Sequence, residues 1–326
     1  MSAFTIRLIR IGISALVFAL LSLCGWRTHR FIQIFFDHPG ILLDQTAVLE
    51  AHHATPKDTR IAVIPRITHQ IFHSWTHPAE TSLPLDWAAT RQTCLDLNPD
   101  WEHKLWTVED SHDFIINEYP WFLATYNSYG HPVQRIDALR YFLMRHFGGI
   151  YIDLDNGCDA DLEPLRYYPA WVTDGGHGVL SNNILGATPN HPFWHLMTDN
   201  LRSYAWRYPL PYLTIVYASG QWFLTAMWNK YHRGLTADQP PLIRISMDGR
   251  PGAPAWVFFT HTRGGTWDNW DNRLFGWIGD HLLLASLAVT LSLGCVITVV
   301  WALARTFTTI KSRHGPKYVP LSSSQD

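Results

Sequence analysis

Two long apolar runs stand near the ends of the chain. Residues 11–26 (IGISALVFALLSLCGW) carry no charge and are flanked by arginines on both sides. Residues 282–304 form a second uncharged run, long enough to cross a bilayer as a helix. We predict transmembrane helices at 11–26 and 279–304, with a cleaved signal peptide as the alternative for the first.

The two tails predict an orientation for these helices. The first ten residues carry two arginines, and the tail 305–326 carries four basic residues against one acidic residue. Short basic tails favour the cytosolic side of a membrane. We therefore expect tails 1–10 and 305–326 in the cytosol and the residues between the helices in the lumen of the secretory pathway.

Between the apolar runs, strand-like and helix-like patterns alternate. Short β-branched or apolar stretches predict strands, and apolar positions at helical spacing predict helices. The predicted strands are 61–72, 101–108 and 150–155, and the predicted helices are 84–97, 109–126 with a break near Pro120, and 132–147 ending at Gly148-Gly149. This alternation predicts an α/β domain over 60–278 with a largely parallel sheet, preceded by a juxtamembrane stem at 27–59.

Charge and composition narrow the function. The 25 Lys and Arg residues nearly balance the 27 Asp and Glu residues, which argues against a general nucleic-acid binder. The 16 Trp, 16 Phe and 13 Tyr residues fit an aromatic-rich core, or rings at a sugar site or membrane interface. Two of the four cysteines fall in the apolar runs, so one disulfide is possible, between Cys94 and Cys158.

Asp153 and Asp155 are the first candidates for chemistry. They stand where the predicted strand 150–155 ends, and ligands of parallel sheets bind at the carboxyl ends of strands. An Asp-x-Asp pair alone is usually a surface turn. Here it follows Gly-Gly-Ile-Tyr and a buried strand, so both carboxylates are placed to hold Mg²⁺ or Mn²⁺.

Three further residues could join this site. Asp137 and Arg140 share one helix face, either as an ordinary ion pair or as contacts to a sugar and a phosphate. His261 follows a short apolar strand and is either structural or a third metal ligand. Arg263, two residues later, could contact phosphates.

Five ordered segments carry a resemblance to the Och1-like D-x-D glycosyltransferases. It covers roughly residues 60–275. The segments are RIDALRYFLMRHFGGIYIDLDNGC (135–158), IPRITHQIFHSW (64–75), SNNILGATPNHPFW (181–194), ASGQWFLT (218–225) and HTRGGTW (261–267).

Within that family, the fungal mannosyl phosphorylinositol ceramide synthases look most similar. The resemblance rests on QRIDALRYFL, on Asp-Asn-Gly-Cys after the acidic pair, and on the C-terminal apolar run. It implies a GT-A fold of Rossmann type, GDP-mannose as donor, Mn²⁺ (or Mg²⁺) as metal, and inositol phosphorylceramide as acceptor. It also implies retention of configuration, a regulatory membrane subunit as partner, and a multi-pass protein of the Golgi membrane with a lumenal catalytic domain.

The resemblance also implies roles for individual residues. Asp155 would be a direct metal ligand, Asp153 a ligand or ribose contact, and His261 a third ligand. Asp137 and Arg140 would hold the mannose. The remaining expected contacts are His69 and Gln70 near the nucleotide, Asn182 and Asn183 near the reacting carbon, and Gly220 and Arg263 at the donor. Gln221 departs from the family, which usually has proline there, and Asn182-Asn183 replaces the more usual Asn-Asp or Asn-Gly.

The spacing between site and membrane suggests the acceptor. His261 lies about 20 residues before the second apolar run, and the interval is crowded with aromatic residues, namely Trp267, Trp270, Phe275 and Trp277. We therefore expect a lipid head group as acceptor, held near the site by the membrane tether. The alternatives are an Och1-like α-mannosyltransferase acting on protein glycans, and a catalytically inactive membrane scaffold of the same fold.

Overall fold

The computed structural model describes residues 3–313, apart from 57, 58, 60, 75, 76, 78, 79, 177, 238, 263, 265 and 266. Its internal contacts divide the chain into two units, Met1–Asp268 and Asn269–Asp326. The boundary falls ten residues before the predicted domain end at 278.

The first unit is an α/β domain. Its strands are β1 (Ile41–Leu43), β2 (Ile67–Ile71), β3 (Glu102–Trp106), β4 (Gly149–Ile152), β5 (Asn156–Cys158), β6 (Ala170–Asp174), β7 (Ser181–Ala187), β8 (Ile243–Ser246) and β9 (Phe259–His261). Its helices are α1 (Ala3–Gln33), α2 (Gln45–Ala54), α3 (Leu85–Leu97), α4 (Val108–Glu118), α5 (Leu123–Ser128), α6 (Pro132–His146), α7 (Pro192–Tyr204), α8 (Pro211–Ala218) and α9 (Gln221–Arg233), with a 3₁₀ turn at Glu163–Tyr167.

Seven strands form one mixed sheet in the order β1-β8-β6-β7-β4-β2-β3, and β5 and β9 form a separate two-stranded sheet. Four of the six pairings in the large sheet are parallel, but β7 runs antiparallel to both β4 and β6. Only six residues join β6 to β7, too few for the crossover that a parallel pair needs. The largely parallel sheet predicted from the sequence is therefore interrupted at its centre.

Alternating side chains of the central strands bury both faces of this sheet. On one face, Tyr151 and Leu185 join a core with α6, α7 and α9. On the other, Ile150, Ile152 and Trp171 pack in a second core that includes Cys94 of α3. Cys94 and Cys158 form a disulfide, which confirms the one pairing that the sequence allowed.

The helix preceding the acidic pair forms as the sequence predicted. Pro132 occupies its first turn, where a missing N–H costs nothing, and eleven of its fifteen residues are buried. Gly148 and Gly149 have φ values of +64° and +86°, a conformation that favours glycine, and they turn the chain directly into β4. The abrupt turn fixes where β4 starts and hence where it ends.

Residues predicted to be a stem belong to the domain. β1 pairs in parallel with β8, and Val48 of α2 lies in a buried core. The strand β1 is three residues long, too short to show a periodic pattern in the sequence. The predicted start of the domain, at residue 60, is therefore too late.

The second unit contains α10 (Asn272–Asp280) and α11 (Leu282–Arg313). Among the described residues, no single helix is both long and apolar enough to cross a membrane. Asn272–Asp280 and Leu282–Ser292 reach that length and hydropathy only together, with a bend of 102° between them. The spans at 11–26 and 279–304 stay predictions.

Candidate active site

The acidic pair lies where β4 gives way to β5. The Asp153 N–H donates to Asn183 O (2.8 Å), and the Asn156 N–H donates back to Asp153 O (2.9 Å). The Asp155 carbonyl accepts from the Thr262 N–H at 2.7 Å. Backbone bonds to β7 and to the residue directly after β9 thus hold this turn on both sides.

The Asp153 carboxylate is already engaged by protein groups. Arg140 Nη1 lies 3.2 Å from Oδ2, and the Tyr151 hydroxyl donates to Oδ1. The Arg140 guanidinium also stacks over the Tyr151 ring, 4.7 Å from its centroid. Asp153 is therefore oriented by two neighbours, one on each oxygen.

The Asp155 carboxylate differs from that of Asp153. Its Oδ1 is buried without a hydrogen-bond partner among the described residues. Burial, together with the charge of Asp153, raises the pKa of Asp155 to about 7. A Cβ at Gly264 would come within 2.3 Å of Oδ2, so only glycine leaves this carboxylate its space. A buried anionic oxygen without a partner is a position that a cation would satisfy.

A network of polar side chains surrounds the carboxylate of Asp153. This polar network consists of Asp137, Arg140, Asp153, Asn182 and Ser219. Asp137 Oδ1 lies 3.3 Å from Arg140 Nη2 and accepts from Asn182 Nδ2 (2.9 Å), while Oδ2 accepts from Ser219 Oγ (3.0 Å). Arg140 Nη1 donates to Asn182 O at 2.6 Å.

The polar network is buried, so its charged groups must be well paired to be stable. The side chains of Asp137 and Arg140 are each 5% exposed. Burial raises the pKa of Asp137, and the charge of Arg140 opposes that rise. A buried pair is stable only when its geometry and hydrogen bonds are complete, and here most of the donors and acceptors are used.

These groups face a cleft of about 260 Å³. Its lining residues come from the end of β2, from the turn between β4 and β5, from α3, α6, β5, β7, α8 and α9, and from the end of β9 and the segment after it. They are Ile71, Phe72, His73, Trp87, Val133, Ile136, Asp137, Arg140, Asp153, Leu154, Asp155, Asn156, Ser181, Asn182, Asn183, Ile215, Val216, Gly220, Gln221, His261, Gly264 and Trp267. In the described lining, three carboxylates accompany one guanidinium.

The cleft brings together eight of the residues predicted from the sequence. They are Asp137, Arg140, Asp153, Asp155, Asn182, Asn183, Gly220 and His261. Arg263 lies outside the described residues. Asn183 Nδ2 donates to Asn156 Oδ1 (3.2 Å), and Asn156 Nδ2 lies 3.3 Å from His261 Nδ1, so the two amides connect β7 with β9.

His69 and Gln70 lie in the interior and do not line this cleft. His69 is fully buried, contacts Gly148 O through Nε2 (3.0 Å) and accepts from Trp106 Nε1 at Nδ1 (3.2 Å). Burial lowers the pKa of His69 to about 3, so it is neutral near pH 7. Gln70 Oε1 accepts from Arg91. Both side chains belong to the middle of β2, whereas the cleft begins at its last residue, Ile71.

Sequence reasoning missed several residues of the site. Tyr151 precedes Asp153 by two positions and so shares its strand face. Tyr141 follows Asp137 by one helical turn, donates to Ser219 O (2.8 Å) and accepts from Asn182 (3.0 Å). Those spacings could have identified both tyrosines. Asn156 follows Asp155 directly, and that adjacency could have identified it as well. Ser219 carries no comparable signal, because only the tertiary fold brings it to the site.

The predicted metal ligands share the cleft without forming a coordination group. No set of three or more His, Cys, Asp or Glu side chains within the described ranges is arranged to hold a metal ion. Both oxygens of Asp153 contact Arg140 and Tyr151 instead. The donor set fits a hard divalent cation at Asp155, where an oxygen is free, and the metal stays a prediction.

Comparisons with known proteins match this chain to glycosyltransferases. A family model described as "Glycosyltransferase sugar-binding region containing DXD motif" matches residues 84–171. Inositol phosphoceramide mannosyltransferase 2 of Schizosaccharomyces pombe is 39% identical over 230 residues, covering 69% of this chain and 64% of that protein. Mannosyl phosphorylinositol ceramide synthase SUR1 of Saccharomyces cerevisiae is 35% identical over 251 residues, covering 76% and 64%.

This chain thus spans less than two thirds of the length of either relative. Among solved structures, the PaToxG glycosyltransferase aligns with a TM-score of 0.38 and 15% identity, over 52% of this chain and 71% of that one. That score is too low to define a shared fold.

Proposed function

Because this chain belongs to the glycosyltransferases whose sugar-binding region contains a DXD motif, we propose that it transfers mannose from GDP-mannose to inositol phosphorylceramide. The product is mannosylinositol phosphorylceramide, with retention of the anomeric configuration. The relatives named for this acceptor support the choice of substrates. The GT-A fold of the family is part of the same proposal.

The observation that carries the catalytic part is the free, buried oxygen of Asp155 in the cleft. Three carboxylates and one guanidinium in the described lining would repel a nucleotide diphosphate. Asp155, with Asp153 and His261 as further ligands, would hold a divalent cation, Mn²⁺ or Mg²⁺, which would remove that repulsion. The chemistry it would supply is Lewis-acid stabilisation of the departing diphosphate.

The chain's own residues then fix the donor. Arg140 is held by Asp137 and Asp153, so its charge is presented in one orientation without reorganisation. Asn182 is held by Asp137 and Tyr141, which orients its amide at the same place. Both residues contribute by holding the donor sugar in a geometry from which it can react.

The setting of the reaction follows from the acceptor. Inositol phosphorylceramide is a membrane lipid, so we propose a Golgi membrane protein with the cleft in the lumen. We also propose a regulatory membrane subunit as partner. The two apolar runs of the sequence support the membrane location.

The test is a transfer assay with the full chain in membranes and labelled GDP-mannose. We expect label in a lipid that co-migrates with mannosylinositol phosphorylceramide on thin-layer chromatography, and only when inositol phosphorylceramide is supplied. Equal transfer to a soluble mannose-ended glycan would favour the protein-glycan reaction instead. No transfer to either acceptor, with the chain folded and Mn²⁺ present, would support the inactive scaffold.

A further inference from the structure

A series of aromatic rings, each in contact with the next, leads from the end of α1 to the cleft. Phe35 contacts Trp222 with ring centroids 5.0 Å apart, Trp222 contacts Tyr212 at 5.9 Å, and Tyr212 stacks on Trp267 at 6.1 Å. Phe31 joins at Trp222, 5.4 Å away. We call these five residues the aromatic cluster. Trp267 is its end in the cleft lining.

A second contact follows the same direction. Ile34, in the turn directly after α1, and Val216 of α8 are both 3% exposed and lie in one buried group with Trp222. Val216 also lines the cleft, next to Ile215. The turn after α1 therefore packs against a residue that forms one wall of the cleft.

The exposed side chains of α1 indicate whether water or lipid surrounds the helix. Phe18 and Leu21 expose 73% and 66% of their surface, and the run 11–26 has no charged residue. Apolar side chains at this density need an apolar cover. The aromatic cluster thus connects a helix surface suited to lipid with a cleft that holds the acidic pair.

We propose that Trp267, Ile215 and Val216, supported from behind by the rest of the aromatic cluster, form the acceptor-side wall of the cleft and receive the part of a membrane lipid next to its head group. The inference rests on the proposed function in that the acceptor is a lipid. The polar network, whose residues lie on α6 and β7 and directly after β4 and α8, is assigned to the donor. Phe31 and Phe35 are positioning residues, because they act on the wall through Trp222 and do not themselves line the cleft.

This assignment is tested by separating the lipid from its head group. The full chain is assayed in mixed micelles with inositol phosphorylceramide and, separately, with inositol phosphate as a soluble acceptor. The double variant Phe31→Ala/Phe35→Ala is expected to raise KM for the lipid about tenfold, from the loss of two aromatic contacts. The donor KM and the KM for inositol phosphate should change less than about twofold.

Two further variants keep the test interpretable. Trp222→Phe retains a ring and should restore most of the lipid affinity that Trp222→Ala loses. Trp206→Ala is the matched control, because Trp206 is 68% exposed and outside the aromatic cluster. It should leave the lipid KM unchanged.

The outcomes distinguish this inference from the proposed function. If the wild-type chain transfers mannose to the lipid and the double variant loses activity equally on both acceptors, the aromatic cluster is only structural and the inference is overturned. If the wild-type chain transfers mannose to neither acceptor, the proposed function itself is wrong. A photoreactive ceramide analogue that labels the wild-type chain near Trp267, but labels the double variant weakly, would support the inference without any turnover.

Discussion

Two sides of one cleft are built from opposite kinds of interaction. The polar network is held by directional contacts, with Asp137 paired to Arg140 and accepting hydrogen bonds from Asn182 and Ser219. The aromatic cluster is held by ring packing at centroid distances of 5.0 to 6.1 Å. The first side admits few alternative side chains, whereas the second requires only apolar volume of about the right shape.

The difference follows from the energetics of burial. A buried charge that loses its partner is left uncompensated, at a cost of about 3–5 kcal/mol. A volume-conserving apolar exchange usually costs less than about 1.5 kcal/mol. A site that must orient a reacting sugar benefits from the stricter side, and a site that accepts a flexible lipid benefits from the more tolerant one. Substitutions on the two sides should therefore differ in size and in the kinetic constant they change.

The largest expected effect is at Asp155. Asp155→Asn keeps the shape of the side chain and removes its charge, so transfer should fall by about 10²- to 10³-fold, as when one electrostatic contact to the transition state is lost. The melting temperature should be unchanged or higher, because the carboxylate is crowded by Asp153. The measurement is labelled-mannose transfer together with thermal unfolding.

Asp159→Asn is the control for this prediction. Asp159 is exposed and four residues away, and its substitution should leave transfer unaffected. Retention of most activity in Asp155→Asn would contradict the metal role.

Arg140→Lys comes next, because it keeps the charge and removes the planar fork. A lysine cannot contact Asp137, Asp153 and Asn182 O in the geometry of the guanidinium. We expect kcat to fall about a hundredfold, the size of effect that a displacement of about 1 Å produces. Steady-state kinetics with a varied donor would show this. A change of less than threefold would mean that the polar network is not selective for geometry.

Much of the fold was predictable because its patterns are local. The helix before the acidic pair shows apolar residues at helical spacing and ends in two glycines, and the structure has it at Pro132–His146. The broken helix near Pro120 is observed as α4 and α5. The acidic pair was recognisable because a buried strand and a tight turn precede and follow it.

The remaining features depend on contacts between distant segments. Ser219 reaches Asp137 across 82 residues, and β1 pairs with β8 across about 200 residues. No spacing in the sequence records such contacts. The antiparallel β7 was missed because its direction depends on the length of the connection from β6, not on its own side chains. His69 was assigned to the nucleotide because its motif includes the end of β2, although its side chain faces the interior.

Ser219→Ala should produce a smaller, intermediate effect. Its hydroxyl donates to Asp137 Oδ2, and a hydrogen bond to a charged group contributes about 1.5–3 kcal/mol. If part of this is lost in the transition state, kcat should fall about tenfold. Ser219→Thr keeps the hydroxyl and should recover part of the loss. Equal kcat values for Ser219→Ala and wild type would mean that Arg140 and Asn182 alone suffice to hold Asp137.

The smallest effect is expected for Phe35→Leu, the counterpart of Arg140→Lys on the tolerant side. Leucine fills much of the same volume and keeps an apolar contact with Trp222, so the lipid KM should rise by about threefold at most. The value of kcat should be unchanged, because the substitution touches no group of the polar network. Measuring both constants for Phe35→Leu and Arg140→Lys in one assay tests the contrast directly. If the leucine variant loses as much kcat as the lysine variant, the two walls share one rigid structure, and the division of donor and acceptor between them is wrong.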